Sequence, residues 1–380
     1  MPNAVQLDKL TTFRKLLHAF PEVSGQEFET QKRIIAFLKK ETKATLSKVG
    51  NTGVLAIFKG KSKGPRVMLR CDIDALPISE INTFAHRSTI QGVSHKCGHD
   101  GHTSILLGLS IILSEQPIAS GEVLLLFQPA EENGRGAQAV LNSTNFKNLD
   151  LDYAFALHNL PGFPNHEIVV KNNAFTANVK SIVLKMEGKT AHAAEPQNGI
   201  NPSLAISEMF EFANRMSLNN PEDKNFFLIT PVYNKLGSEK AFGVSAGSAE
   251  MHFTIRSWSA ELMENKRAAI IRFTDEICKK HQLTYSLTWT EEFYANMNNS
   301  EAVDLIRKAS NQLQLHTTEK ESPFTWGEDF GLFTQKYKGA MFGLGSGTNT
   351  PALHNPDYDY PDHITVTGIQ MFHSIIQQIL

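Results

Sequence analysis

A chain of 380 residues exceeds the usual single-domain size, so one large or two ordinary domains with ample core are expected. Apolar content of 41%, charged content of 20% and a formal net charge of −2, from 37 basic and 39 acidic residues, describe a globular protein with no attraction to nucleic acid or membrane. The start MPNAVQLDKL has no basic region followed by an apolar run, and no window reaches the roughly 18 apolar residues of a membrane span. Cys71, Cys97 and Cys278 are too few and too scattered for a disulfide framework, so the expected location is the reducing cytoplasm.

In chain order, two helical patterns come first, Leu7 to Ala19 and Gln26 to Lys40, separated by the breakers Pro21 and Gly25. Short apolar runs bounded by glycine follow: Val54 to Phe58, Arg66 to Cys71, Val123 to Phe127 and Tyr153 to Leu157. They interleave with a helix from about Thr103 to Leu113 and a weaker one after Gly134. The alternation predicts an α/β sheet with helices on both faces, a fold whose chemistry gathers at strand ends. From Phe175 the texture changes. Val179 to Met186, Phe227 to Tyr233, Ala249 to Ile255 and Thr284 to Trp289 read as strands, and Asn201 to Met216 and Ala260 to His281 as helices. That β-α-β-β-α-β order is ferredoxin-like and complete in itself. Residues 175–290 are therefore expected to form an inserted domain, with 1–174 and 291–380 making up a discontinuous first domain.

The densest chemistry lies in Lys96-Cys97-Gly98-His99-Asp100-Gly101-His102, where a thiol, two imidazoles and a carboxylate open an apolar helix. Cys97 and His99 are too close for one helix face, but a turn eased by Gly98 and Gly101 brings them onto one ion. Taken alone, the stretch reads equally well as a helix capped by Asp100 with solvated histidines. Glu131 and Glu132 follow the strand Val123 to Phe127 and point in different directions, so one can bind metal while the other faces substrate. A solvated acidic helix start would look the same. His158 in Ala156-Leu157-His158-Asn159 and His354 in Ala352-Leu353-His354-Asn355-Pro356 are individually ordinary; their joint occurrence near strand ends favours a site. Asp72 and Asp74 lie two apart at a strand end and project to the same side.

The runs RCDIDALP, KCGHDGHTSILLG, QPAEENGRGA, ALHNLPG, GKTAHAAEP, TIRSW, WGEDFGLF and PALHNPDYDY resemble, in this order, the aminoacylase/carboxypeptidase family of two-metal amidohydrolases. The branch they most resemble is the one containing hippurate hydrolase, N-acetyldiaminopimelate deacetylase and the plant auxin-conjugate hydrolases. The resemblance implies a mixed-sheet α/β catalytic domain carrying an inserted ferredoxin-like lid and dimerisation domain. It implies two divalent metal ions per subunit, zinc or manganese. Cys97 would bridge them as a thiolate, with His99, Glu132, His158 and His354 as the other ligands. Glu131 would be the general base, Asp74 a partner that orients a ligand imidazole, and His192 a stabiliser of the tetrahedral oxyanion that reaches the partner subunit's site. Arg256 would bind the substrate carboxylate with its guanidinium fork, a surface strand charge being the plainer alternative. Asp72 stands where other branches carry a histidine ligand and is equally well a turn former. Asp100 and His102 would support the site without binding metal.

The resemblance implies cleavage of N-acyl amino acids by a homodimer joined through residues 175–290, with hinges near 172–175 and 291–296. Dipeptidase or carboxypeptidase action is the close alternative, and a metal-dependent binding protein without turnover is the alternative from another class. Three departures bear on substrate: Gly243 stands where the family usually has asparagine, and Gln197 and Asn201 where histidine and aspartate are common.

Overall fold

The glycine-bounded apolar runs become strands and the amphipathic runs become helices in the computed structural model, which describes residues 2–380. The chain divides into two units. One holds the residues up to Phe175 together with Asn296–Glu321 and Glu328–Leu380; the other holds Thr176–Ala295 and Ser322–Gly327. In chain order the first unit begins with α1 (Ala4–Ala19), α2 (Phe28–Glu41), β1 (Thr45–Val49), β2 (Gly53–Lys59), β3 (Ser62–Asp72), α3 (His99–Glu115) and β4 (Ser120–Gln128). It continues with α4 (Gly136–Asn142), β5 (Tyr153–Leu160), β6 (Ile168–Val170) and β7 (Asn173–Ala174). The second unit holds β8 (Asn178–Glu187), β9 (Ala191–His192), α5 (Ser203–Met216), β10 (Phe227–Leu236), β11 (Val244–Ser245), β12 (Ser248–Ser257), α6 (Ala260–Lys280) and β13 (Thr284–Phe293). The chain then returns to the first unit through β14 (Met297–Asn298), α7 (Ser300–Gln312), β15 (Thr317–Glu319), α8 (Gly331–Thr334), β16 (Gly339–Gly345) and α9 (Thr365–Ile379).

The first unit is built on an eight-stranded sheet in the order β1-β2-β4-β3-β5-β16-β6-β15. Its centre, β4-β3-β5-β16, is parallel, while β2 joins β4 and β6 joins β16 antiparallel, so the expected α/β sheet is mixed. The parallel strands are apolar on both faces, as strands covered by helices on two sides must be: β16 is buried throughout and β5 is buried after its first residue. Helix α3 is buried from His99 to Leu113 and carries Ile105, Leu106, Leu107, Leu109 and Ile112 into a core shared with Leu10, Ile369 and Phe372. An all-round apolar helix is a buried helix.

The second unit carries a four-stranded antiparallel sheet in the order β10-β12-β8-β13. With α5 and α6 between the strands this is the ferredoxin-like arrangement. Ile182, Leu184, Phe253 and Ile255 pack with Met209, Ala213, Ile270 and Ile277 to form its own core. Its edges differ from the expected boundary. β13 runs to Phe293, which pairs with Val179, so a cut after residue 290 would divide a strand. Ser322–Gly327 joins the same unit because Phe324 bridges to Thr176 and the Ala177 amide donates to the Trp326 carbonyl. At the first unit's side of both crossings, β7 pairs with β14, Asn173 adopting φ 61°. Among the described residues no helix is long and apolar enough to cross a membrane.

Candidate metal centre

Parallel strands end on the same side, and the reactive side chains collect there. β3 ends at Asp72 with Asp74 just beyond it, β4 is followed by Glu131 and Glu132, His158 lies near the end of β5, and His354 lies in the loop after β16. Facing them is the start of α3. The helix begins at His99, not near Thr103, because Gly98 takes the N-cap position at φ 91°. A Cβ there would sit 2.4 Å from Asn159 Oδ1, so conformation and space both demand glycine. Asp100 is consequently in the first turn and is not the N-cap. Its carboxylate accepts from His18 Nδ1 at 2.9 Å and from Arg14 at 3.3 Å.

Main-chain carbonyls set the tautomers. His99 Nδ1 donates to the Asp74 carbonyl at 3.0 Å, and His158 Nδ1 donates to the Asn159 carbonyl at 2.9 Å, leaving each Nε2 as the donor atom turned into the site. His158 Nε2 lies 3.4 Å from Cys97 Sγ. Glu132 places one oxygen 3.7 Å from His99 Nε2 and the other 3.7 Å from His354 Nε2. Cys97 belongs to two groups whose donor atoms lie within 4.8 Å of one another, Cys97-His99-His158 and Cys97-Glu132-His354, and His99 belongs also to His99-Glu131-Glu132 and Asp72-His99-His102. Among the described residues, the buried His99 Nε2 and Glu132 Oε1 have no hydrogen-bond partner. Buried polar atoms are ordinarily satisfied, so this unmet capacity, on atoms that are all good cation ligands, fits a divalent metal.

The local field points the same way. Burial opposes a charge on His99, but Asp72, Asp74 and Glu132 outweigh it and push its pKa up to about 10. Burial, helped by Asp74 and Asp72 and opposed by His99, pushes Glu132 up to about 8. Burial and the neighbouring glutamates hold the Cys97 thiol well above its ordinary range. Carboxylates and a thiol crowded this closely favour positive charge among them.

Behind these atoms lies a layer that the sequence reading left largely unassigned. Asp72 accepts from His102 Nδ1 at 2.6 Å and from Arg70 at 2.7 Å, which gives it a fixed structural role beyond that of a turn former. The fully buried Arg70 also reaches Glu328 at 2.8 Å, Asp329 at 3.0 Å and Gln128 at 2.9 Å. Burial, then Glu328, Glu132 and Asp329, push the Glu131 carboxyl well above the usual range, with Arg70 opposing. Its members fall in three of the runs that carry the resemblance, Arg70 and Asp72 in RCDIDALP, Gln128 in QPAEENGRGA and Glu328-Asp329 in WGEDFGLF, but nothing in the sequence pairs them. Asp74, expected to orient an imidazole, has one oxygen 3.3 Å from His99 Nδ1, while the other accepts from the Glu132 amide at 3.0 Å and from Ser24 at 2.7 Å.

In the second unit, His192 lies on β9 opposite Val244 of β11, exposed, with Nδ1 accepting from the Ala194 amide at 3.1 Å. Gly243 adjoins it, its carbonyl accepting from the Ala193 amide at 2.9 Å, with open space where a side chain would stand. Arg256 on β12 donates to the Thr325 carbonyl at 2.9 Å, and Asn201 donates to Ser245 at 3.0 Å.

Thiol, imidazole and carboxylate donors at the carboxyl end of a parallel-centred sheet, in a chain interrupted by a ferredoxin-like unit, define an α/β protein built to chelate. The chain belongs to peptidase family M20/M25/M40, whose model matches residues 68–378. It is 32% identical over 345 residues to an N-acetyl-L-cysteine deacetylase of Bacillus subtilis, a match covering 90% of this chain and 82% of that protein. It is 28% identical over 363 residues to the hippurate hydrolase of Campylobacter jejuni, covering 94% of each. Among solved structures, a dinuclear metal binding peptidase of the M20 family from Bacillus subtilis superimposes with a TM-score of 0.81 at 26% identity over 100% of both chains.

Proposed function

We propose that this chain is a metal-dependent amidohydrolase that cleaves the amide bond of N-acyl amino acids. The observation that carries this reading is the pair of buried donor atoms, His99 Nε2 and Glu132 Oε1, that lie 3.7 Å apart with no hydrogen-bond partner among the described residues, with a second carboxylate, Glu131, beside them. Cys97, His99, Glu132, His158 and His354 would hold two divalent ions, and the position of Cys97 in two of the donor groups supports a bridging thiolate. Such ions supply Lewis acidity and make water a nucleophile near neutral pH.

The remaining work falls to the chain itself. Glu131 takes the proton from the attacking water and returns it to the leaving nitrogen, so no nucleophilic side chain is required. Asp74 orients the His99 ring and fixes the Glu132 amide. His192 is assigned to the developing oxyanion and Arg256 to the substrate carboxylate, on the motif resemblance. Relatives named for an acetyl and a benzoyl conjugate support N-acyl amino acids as the class. All three cysteines are free, which suits a reduced compartment such as the cytoplasm.

We also propose a homodimer through residues 175–290. β10 is an edge strand with its outer half exposed, including Val232, Tyr233 and Leu236, and an unpaired edge of this kind recruits another strand.

The test is release of free amine from a panel of N-acetyl and N-benzoyl amino acids and dipeptides, with and without zinc or manganese. Metal-dependent release from the N-acyl compounds is expected, and Glu131→Gln, which keeps size and loses only the proton acceptor, should cost about 10² to 10⁴-fold at unchanged metal content. Release from none of the panel, or near-wild-type turnover by metal-loaded Glu131→Gln, refutes the reading. A metal-dependent binding protein would need the ligands but not Glu131.

A further inference from the structure

Glu27 is a buried carboxylate that the mechanism above does not use. It occupies the N-cap of α2 but makes no capping bond to that helix. Glu22 performs that task, accepting from the Glu29 amide at 3.2 Å and the Thr30 amide at 2.7 Å. The Glu27 side chain is thereby released to reach across the unit. Its Oε1 accepts from the Ala130 amide at 2.8 Å and from the Gly25 amide at 2.9 Å, and its Oε2 accepts from the Thr52 hydroxyl at 2.5 Å.

Ala130 immediately precedes Glu131 and holds φ 52°, a left-handed conformation that costs a non-glycine residue about 1–2 kcal/mol and persists only where its surroundings enforce it. The Ala130 carbonyl is fixed by the Gly136 amide at 3.0 Å. Its amide is held by the Glu27 side chain. Two residues on, the Glu132 amide is held by Asp74 at 3.0 Å. Glu131 therefore departs from a backbone clamped on both sides by carboxylates from distant parts of the chain. Burying a carboxyl group is costly unless it is hydrogen-bonded, and Glu27 has three donors.

We infer that Glu27 is a positioning residue for Glu131, its carboxylate setting the strained Ala130 from which the base is aimed. This rests on the reading of Glu131 as general base. Asp74 holds the Glu132 amide independently, so removing Glu27 should disturb the base and spare the ligands.

The experiment compares Glu27→Ala, Glu27→Gln, Glu131→Gln and the Glu27→Ala/Glu131→Gln double variant of the full chain, loaded with metal, for kcat, KM, bound metal and urea midpoint. Glu27→Ala is expected to lower kcat about 10- to 100-fold with KM and metal content unchanged, the effect of a misplaced reacting group. Glu27→Gln, whose amide oxygen still accepts from Ala130, should recover most of that loss. The double variant should turn over no more slowly than Glu131→Gln alone, because a residue acting only through Glu131 has nothing left to position. Wild-type kcat in folded Glu27→Ala, a kcat loss that tracks metal loss, or a further loss in the double variant overturns the inference. Should Glu27→Ala fail to fold, Thr52→Val, which frees the Oε2 end of the carboxylate, decides: a smaller kcat loss at constant KM supports the inference and unchanged kcat overturns it. Active Glu131→Gln defeats the proposed base and this inference together, whereas inactive Glu131→Gln beside fully active Glu27→Ala defeats this inference alone.

Discussion

His18 should make the stability of this protein fall as pH rises into the alkaline range. The ring is fully buried on α1, with Nδ1 2.9 Å from Asp100 and Nε2 3.1 Å from Glu80, so both nitrogens face acceptors and both carry protons. Burial disfavours the charge, but the two carboxylates outweigh it and raise the pKa from 6.5 to about 9. Because the folded value lies above the unfolded one, the contribution is complete below about pH 6.5 and is lost as pH rises through about 9. At 1.36 kcal/mol for each tenfold change in proton affinity, the rise from 6.5 to about 9 corresponds to roughly 3 kcal/mol. Arg14 lies 3.3 Å from Asp100 and Lys96 2.6 Å from Glu80, so both carboxylates keep a cation when His18 loses its proton and the figure is an upper value. Urea midpoints of wild type and His18→Gln, followed between about pH 6 and 10 at fixed metal concentration, isolate the effect. The gap should be widest at the acid end and close at the alkaline end. A gap constant with pH, or one that widens as pH rises, would refute the assignment of charge to this ring.

Three further outcomes follow from the site. Cys97→Ser should lose bound metal and activity together while Cys71→Ser, a buried thiol outside the donor groups, loses neither; equal metal content in both would count against the thiolate bridge. Arg70→Met strands Asp72, Glu328 and Asp329 without their shared guanidinium and should cost about 3–5 kcal/mol by urea denaturation, with Arg70→Lys restoring only part because a point charge cannot serve four partners; a loss under about 1 kcal/mol would show the cluster is not held by this residue. Mixing inactive His192→Ala with inactive Glu131→Gln should restore turnover in the heterodimer, since one of its sites then combines an intact base with the partner's intact histidine; no recovery after verified subunit exchange excludes a shared site.

Much of the fold was legible because its signals are local. Short apolar runs marked β2 to β5, and period-3.6 patterns marked α1, α2, α5 and α6. The start of α3 was misplaced because a left-handed Gly98 N-cap carries no capping side chain to read, and Asp100 offered a false one. The end of the second unit was misplaced because Ser322–Gly327 joins it through pairing with Thr176 and Ala177, a long-range contact with no local pattern. In the site, the donors were recognisable as residue types with repeated motifs around them. The roles of Arg70 and Glu27 were not: Arg70 lies in a quoted run and Glu27 at an ordinary-looking helix start, but only three-dimensional convergence of residues up to 259 positions apart reveals their partners.

His99 and His102 illustrate why residue type and spacing cannot settle a ligand set. They stand three apart in the first turn of α3, the spacing of a chelating pair on one helix face, and both are buried. The His99 ring gives its Nδ1 proton to a main-chain carbonyl and keeps Nε2 for the site. The His102 ring spends both nitrogens, Nδ1 donating to Asp72 at 2.6 Å and Nε2 accepting from the Asn159 amide at 3.2 Å, so it has no lone pair to offer. The Asn159 backbone thus closes one imidazole with its amide and, through its carbonyl, aims another, that of His158, toward Cys97. Which imidazole nitrogens stay open to the site is decided by main-chain groups at two strand ends, the Asp74 carbonyl just beyond β3 and the Asn159 amide and carbonyl on β5.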